Sequence, residues 1–372
     1  MSSGYYIHHQ GRGHLSRALA IAAASTEPIT GLSSLPRPAE WQGPWIELPR
    51  DDDPPADVAV DEVDADERLH WVPLGHPGLR GRMARISAWI EAEAPRVLVA
   101  DVSVEVALLA RLHGVPVISV VLPGRRDDPA HALGYAVSSA LLAAWPPEAS
   151  GMIEGLDPAA TARLTPVGAI SRFAPVDPRA PVIPSPPGAA GESGAGDGGD
   201  VRRVVVLGGR GGDDFGAEAI AAARAETPGW EWRVLGGSAG EWVTDPWASI
   251  LGADVVVTHA GQNAVAEVAA ARRPAVVVPQ PRPHREQLTT GAVLAHPRWP
   301  AIVVDGFPTG GWSALLDRAA ALPGADWSTW NDGLGARRAA ELIGQVARGT
   351  TAARGEGDAT VDENVTEGAV SA

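Results

Sequence analysis

The chain has 372 residues, 45% of them hydrophobic and 20% charged, enough to bury two ordinary cores. Its formal charge of −15 argues against nonspecific nucleic-acid binding, which basic residues drive by displacing counterions from phosphates. With no cysteine there is no disulfide, thiolate metal site or Cys nucleophile, and with neither a secretory leader nor an apolar run of about 18 residues in view, a cytoplasmic protein is expected.

Strand and helix signals alternate along both halves. Tyr5–His8 reads as a short strand and Leu15–Ala24 as a helix, followed by β-branched runs at Arg96–Ala100 and Val115–Val121 flanking a helical stretch Val104–His113. Ala174–Asp200 is rich in Pro and then Gly and reads as a linker. Beyond it, Arg202–Leu207, Trp232–Leu235, Asp254–Thr258 and Ala275–Pro279 are compact apolar strands. Runs that are apolar throughout suit parallel strands buried on both faces. The expected architecture is α/β, two doubly wound domains at residues 1–173 and 201–348, joined by the linker 174–200 and followed by a small, acidic, disordered tail at 349–372.

Four segments carry candidate chemistry. Between the first strand and helix stands His9-Gln-Gly11-Arg-Gly13-His14-Leu-Ser16-Arg17. Its glycines allow a close backbone approach to a ligand beside a helix N-terminus. It is not the dinucleotide fingerprint, because Ser16 replaces the third glycine. His14 either caps the helix or acts as a general base, since imidazole titrates near working pH. Leu207-Gly208-Gly209-Arg210-Gly211-Gly212 is a second such turn, weak as a signal by itself.

Thr258-His259-Ala260-Gly261-Gln262-Asn263-Ala264-Val265-Ala266-Glu267 is far more specific. A strand turns at Gly261 into a helix whose first amides suit a diphosphate, and Glu267, about a turn further in, suits ribose hydroxyls. The alternative is that Glu267 only complements the helix dipole. Finally, Pro279-Gln-Pro281-Arg-Pro283-His284-Arg-Glu286-Gln287 is a proline-stiffened loop. It would fix His284, Glu286 and Gln287 against a sugar, or Glu286 and Gln287 are ordinary first-turn helix residues.

In order and spacing these segments, above all Thr258–Gln287, resemble glycosyltransferase family 28, the group of the peptidoglycan N-acetylglucosaminyltransferase. The resemblance implies a GT-B fold of two Rossmann-like domains facing across a cleft, with the nucleotide-sugar donor on the second domain and the acceptor on the first. It also implies that His14 is the base or a substrate contact and that Gly261 and Gln262 approach the diphosphate. Glu267 would hold the ribose and Glu286 with Gln287 the sugar, while Gly11, Gly13, Gly209, Gly211, His259, Asn263 and His284 complete the donor side. No metal or cofactor is implied beyond a UDP-linked substrate, and no metal-ligand cluster stands out: Asp51-Asp52-Asp53 precedes two prolines in a loop. The acceptor is unknown.

Two alternatives remain open: a nucleotide-sugar hydrolase or epimerase of the same architecture, distinguished by release of sugar without acceptor, and a noncatalytic nucleotide-sugar-binding partner. Peripheral membrane contact is a further question. Leu79, Met83, Ile86 and Ile90 share one helical face that would suit an anionic bilayer, although packing on the sheet with solvated arginines is the favoured reading.

Overall fold

A computed structural model describes residues 2–57, 61–177, 201–209 and 215–356. The first domain runs β1 (Ser3–Ile7), α1 (Arg12–Ala24), β2 (Ile29–Ser33), β3 (Trp45–Glu47), α2 (Pro77–Glu93), β4 (Val97–Asp101), α3 (Val104–Leu112) and β5 (Val117–Val121). It continues with β6 (Gly124–Arg125), α4 (Pro129–Val137), β7 (Ala140–Ala143), β8 (Ile153–Glu154), α5 (Pro158–Arg163) and β9 (Leu164–Pro166). Its main sheet has the order β3-β2-β1-β4-β5-β7-β9, and every pair in it is parallel.

The second domain comprises β10 (Arg202–Leu207), α6 (Ala217–Glu226), β11 (Trp230–Leu235), α7 (Trp247–Leu251), β12 (Val255–Thr258), α8 (Gln262–Ala270), β13 (Ala275–Val277), α9 (Glu286–Leu294), β14 (Ala301–Val303) and α10 (Trp312–Ala320). Its parallel sheet has the order β11-β10-β12-β13-β14. The central strands β4, β5, β12 and β13 are buried at every position, which is why they read as continuous apolar runs rather than as alternating ones.

In each sheet the chain order reverses beside the first strand, between β1 and β4 and between β10 and β12. Connections leave such a switch point toward opposite faces and open a crevice at the carboxyl ends of the strands. The turns singled out in the sequence, after β1, β10 and β12, all fall there.

The structure differs from the sequence reading in three respects. Helix α11 (Gly335–Glu356) continues past Gly349, where the tail was expected to begin. Its Ala339, Ile343 and Ala347 pack with Tyr5, Ala18, Ile21 and Val99, so residues grouped with the second domain cover the first. An amphipathic helix goes where its apolar stripe is buried, and chain order does not decide that.

The third concerns α2, whose Ile86, Trp89 and Ile90 pack into the core with Met83 at its edge. That settles the face on the sheet rather than on a bilayer. Arg82, however, is not solvated: it is 1% exposed, ion-paired to Asp51 at 2.6 Å and donating to Tyr6 Oη at 2.6 Å. Among the described residues no helix is long and apolar enough to cross a membrane. The greater part of the expected linker, 178–200, lies outside the described residues.

Candidate active site in the interdomain cleft

The two crevices face each other across a cleft of about 400 Å³. Just before its first-domain wall, Gly11 takes φ 82° at the N-cap of α1, a value that suits glycine. No side chain caps α1 and no acid lies in its first turn, so its amides and positive end are left for a ligand.

His14, one turn into α1, lines the cleft. Its Nδ1 lies 2.8 Å from Asp101 Oδ1, at the end of the neighbouring strand β4. Asp101 is fully buried and also accepts from Arg17 Nη2 at 2.7 Å, Arg17 Nε at 3.1 Å and Tyr5 Oη at 3.0 Å. Burial alone would raise its pKa. The charges of Arg17 first, then His14, together with their hydrogen bonds, hold it well below the ordinary carboxylate range instead. Nδ1 also lies 3.1 Å from Arg17 Nη2; in the tautomer that donates Nδ1–H to Asp101, Nε2 is left to accept a proton. Val102, next along, takes φ 64°, a strained value for a β-branched residue and one that tends to mark functional positions.

The opposite wall is α8, capped by Gly261 with no side-chain hydrogen bond and no acid in its first turn. His259 shapes the turn by accepting from Gly261 N at 3.0 Å. A Cβ on Gly209 would meet His259 Nε2 at 2.9 Å, and one on Gly13 would meet Asn263 Nδ2 at 2.7 Å, so these glycines permit close approach around the cleft. Gln262 reaches back to Arg17, its Oε1 lying 3.5 Å from Nη1. Glu267 faces the cleft and is held by Arg172 Nε at 2.8 Å; burial raises its pKa and Arg172 opposes that. Arg172 lies over Phe173, which stacks on Trp247 with centroids 4.5 Å apart. Trp242, 52% exposed, is a broad aromatic surface on the same wall.

The fold therefore brings Gly13, His14, His259, Gly261, Gln262, Asn263, Glu267, Glu286 and Gln287 around one cavity. Gln287 is buried, and its Oε1 accepts from Ala260 N at 3.2 Å and Gln280 N at 3.0 Å, which ties the loops after β12 and β13 together. Glu286 accepts from Arg126 Nη2 of the first domain at 2.6 Å. Gly11 and Gly209 stand behind the lining, and Gly211 lies outside the described residues. His284 does not line this cavity: it borders a neighbouring one of about 290 Å³ with His131, Val104 and Tyr135. Sequence reasoning missed Asp101, whose only signal is an acid at the end of a buried run, and it missed Trp242 and Arg172.

Residues 244–297 match the family model for the glycosyltransferase family 28 C-terminal domain. No curated protein matches the sequence. Among solved structures, the glycosyltransferase of kitacinnamycin is 18% identical, with 93% of this chain and 98% of that chain covered at a TM-score of 0.62. Acinetobacter baumannii MurG is 14% identical, with 92% and 99% covered at 0.55. Arabidopsis thaliana UGT89C1 is 13% identical, with 93% and 99% covered at 0.59. Likeness at these identities establishes the fold, which is GT-B. Fold and matched segment together define a glycosyltransferase of the GT-B class. Its second-domain segment resembles that of family 28.

Proposed function

We propose that the chain transfers a hexosyl group from a UDP-linked sugar to an acceptor hydroxyl, with inversion and without a metal on the diphosphate. The observation that carries this reading is the His14–Asp101 contact of 2.8 Å across the cleft from the uncapped N-terminus of α8. His14 Nε2 takes the proton of the acceptor hydroxyl, and Asp101 stabilises the imidazolium that forms. The hydroxyl oxygen attacks the anomeric carbon as the bond to the diphosphate breaks, and a single displacement inverts the centre. Negative charge grows on the leaving diphosphate, where the first amides and positive end of α8 stabilise it.

Glu267 accepts from the ribose hydroxyls, with Arg172 yielding or sharing its carboxylate, and Trp242 offers a face to the base. The acceptor approaches from the first-domain side, where the second cavity is walled by Ala100, Val102, Val104, Val120 and Leu122. That UGT89C1 was solved with UDP and VinC with dTDP supports a nucleoside diphosphate in a cleft of this fold.

Calorimetric titration with UDP, alongside UDP release from a panel of UDP-hexoses, tests the reading. Glu267→Ala is expected to weaken UDP binding about tenfold or more, the loss of one or two charge-assisted hydrogen bonds. His14→Ala is expected to bind UDP normally and lose turnover. If both variants bind UDP as the parent does, the site is misassigned.

A further inference from the structure

Beside the sugar-nucleotide cleft, and independently of its reading, the fold gathers four metal-ligand side chains from distant parts of the chain. His70 comes from the segment before α2, Asp128 and His131 from the start of α4, and His284 from the second domain. One donor atom of each lies within 4.8 Å of all the others. His131 Nδ1 is 2.6 Å, His284 Nδ1 3.6 Å and His70 Nε2 3.7 Å from the Asp128 carboxylate. The His131 ring is packed against both other imidazoles, with centroids 4.4 Å from His70 and 4.8 Å from His284.

We propose that His70, Asp128, His131 and His284 bind one divalent transition-metal ion, which ties the second domain to the first at the rim of the cleft. Three imidazoles and a carboxylate form a donor set suited to Zn²⁺ and its neighbours, whereas Mg²⁺ and Ca²⁺ prefer all-oxygen shells. Bonds of about 2.0–2.1 Å in a tetrahedral site place ligand atoms roughly 3.3 Å apart, so donors now within 4.8 Å of one another close in and the 2.6 Å His131–Asp128 pair opens as the ion enters.

Two further features point the same way. His70 Nε2 is buried and makes no hydrogen bond, so a nitrogen faces the cluster without a partner. His284 and Arg285 are both left-handed, at φ 54° and 57°, a conformation that disfavours side chains and here places the His284 ring beside Asp128. Metal on His131 Nδ1 moves that ring's proton to Nε2, so Arg126 Nη1, now 3.1 Å away, must turn aside. Arg126 keeps Glu286 and Pro123 O through Nη2.

The test uses the full-length chain, stripped with a chelator and titrated with Zn²⁺ against a chromophoric competitor. One equivalent per chain is expected, with the thermal midpoint rising on addition of Zn²⁺. His70→Ala and His284→Ala, one in each domain, should each weaken binding at least about tenfold and abolish the midpoint rise. His113→Ala, outside the cluster, should change neither. Failure of the parent to bind an equivalent of Zn²⁺ overturns the proposal. So does Zn²⁺ affinity that survives in both cluster variants, or that falls equally in His113→Ala.

Discussion

Arg126, between β6 and α4, donates to Glu286, the first residue of α9, at 2.6 Å across the domain boundary. The guanidinium is 3% exposed and the carboxylate 31%. Removing the acid leaves a nearly buried cation with only a carbonyl at Pro123, a weak contact to Leu122 O and a histidine nitrogen for company. Glu286→Ala is therefore expected to destabilise the chain by about 1–3 kcal/mol. Urea unfolding monitored by tryptophan fluorescence reads this as a lower midpoint at unchanged slope.

Asp101 joins stability to chemistry. Asp101→Asn removes the anion facing buried Arg17 and reverses the hydrogen-bonding preference at His14 Nδ1. Breaking such a pair costs about 3–5 kcal/mol, and a misoriented base costs turnover roughly a hundredfold or more. The pH dependence has a definite sign. A carboxylate depressed in the folded state adds stability that is complete above its unfolded pKa of about 4 and is lost as pH falls below that. Acid titration of the parent should show this loss. An Asn variant that unfolds along the same acid limb would exclude the assignment.

His8 works in the same sense, over a higher range of pH. Burial foremost, with His14 and His9 beside it, lowers its pKa to about 3. Below about pH 6.5 the unfolded chain takes up a proton that the folded chain refuses, so His8 makes stability fall as pH drops from there toward 3. His8→Gln should flatten that limb in a series of urea midpoints.

How much of this was readable in the sequence follows from how local each signal is. The strand-turn-helix at Thr258–Gln262 fits within five residues, and the buried strands announce themselves through unbroken apolar runs, so the GT-B architecture and the α8 wall of the cleft were legible. Asp101 was not, because the residue that gives it meaning, His14, lies 87 positions away. The His70, Asp128, His131 and His284 cluster spans both domains and exists only once they are packed. Arg82 was placed in solvent because helical periodicity sorts residues by polarity, and it cannot foresee that Asp51 and Tyr6 wait inside. The reach of α11 onto the first domain was hidden for the same reason: an apolar stripe says that a face is buried and not against what.

The contact between Gly124 and the second domain yields the last prediction. Gly124, the first residue of β6, takes φ 106°, and a Cβ there would stand 2.2 Å from the backbone oxygen of His284 and 3.1 Å from Glu286 N. The obstacle is main chain rather than a side-chain tip, so it cannot swing away; either the 284–286 turn shifts or the domains part at this edge. Gly124→Ala thus combines a left-handed penalty of about 1–2 kcal/mol with a clash, and a total loss of roughly 2–4 kcal/mol is expected. Gly75 separates the two contributions: its φ is 71°, but an added Cβ meets nothing within 4 Å. Gly75→Ala should carry the backbone penalty alone. If calorimetric melting shows the two variants equally destabilised, the domains do not meet at Gly124 as described, and the pairing of Arg126 with Glu286 a few residues along must be reconsidered as well.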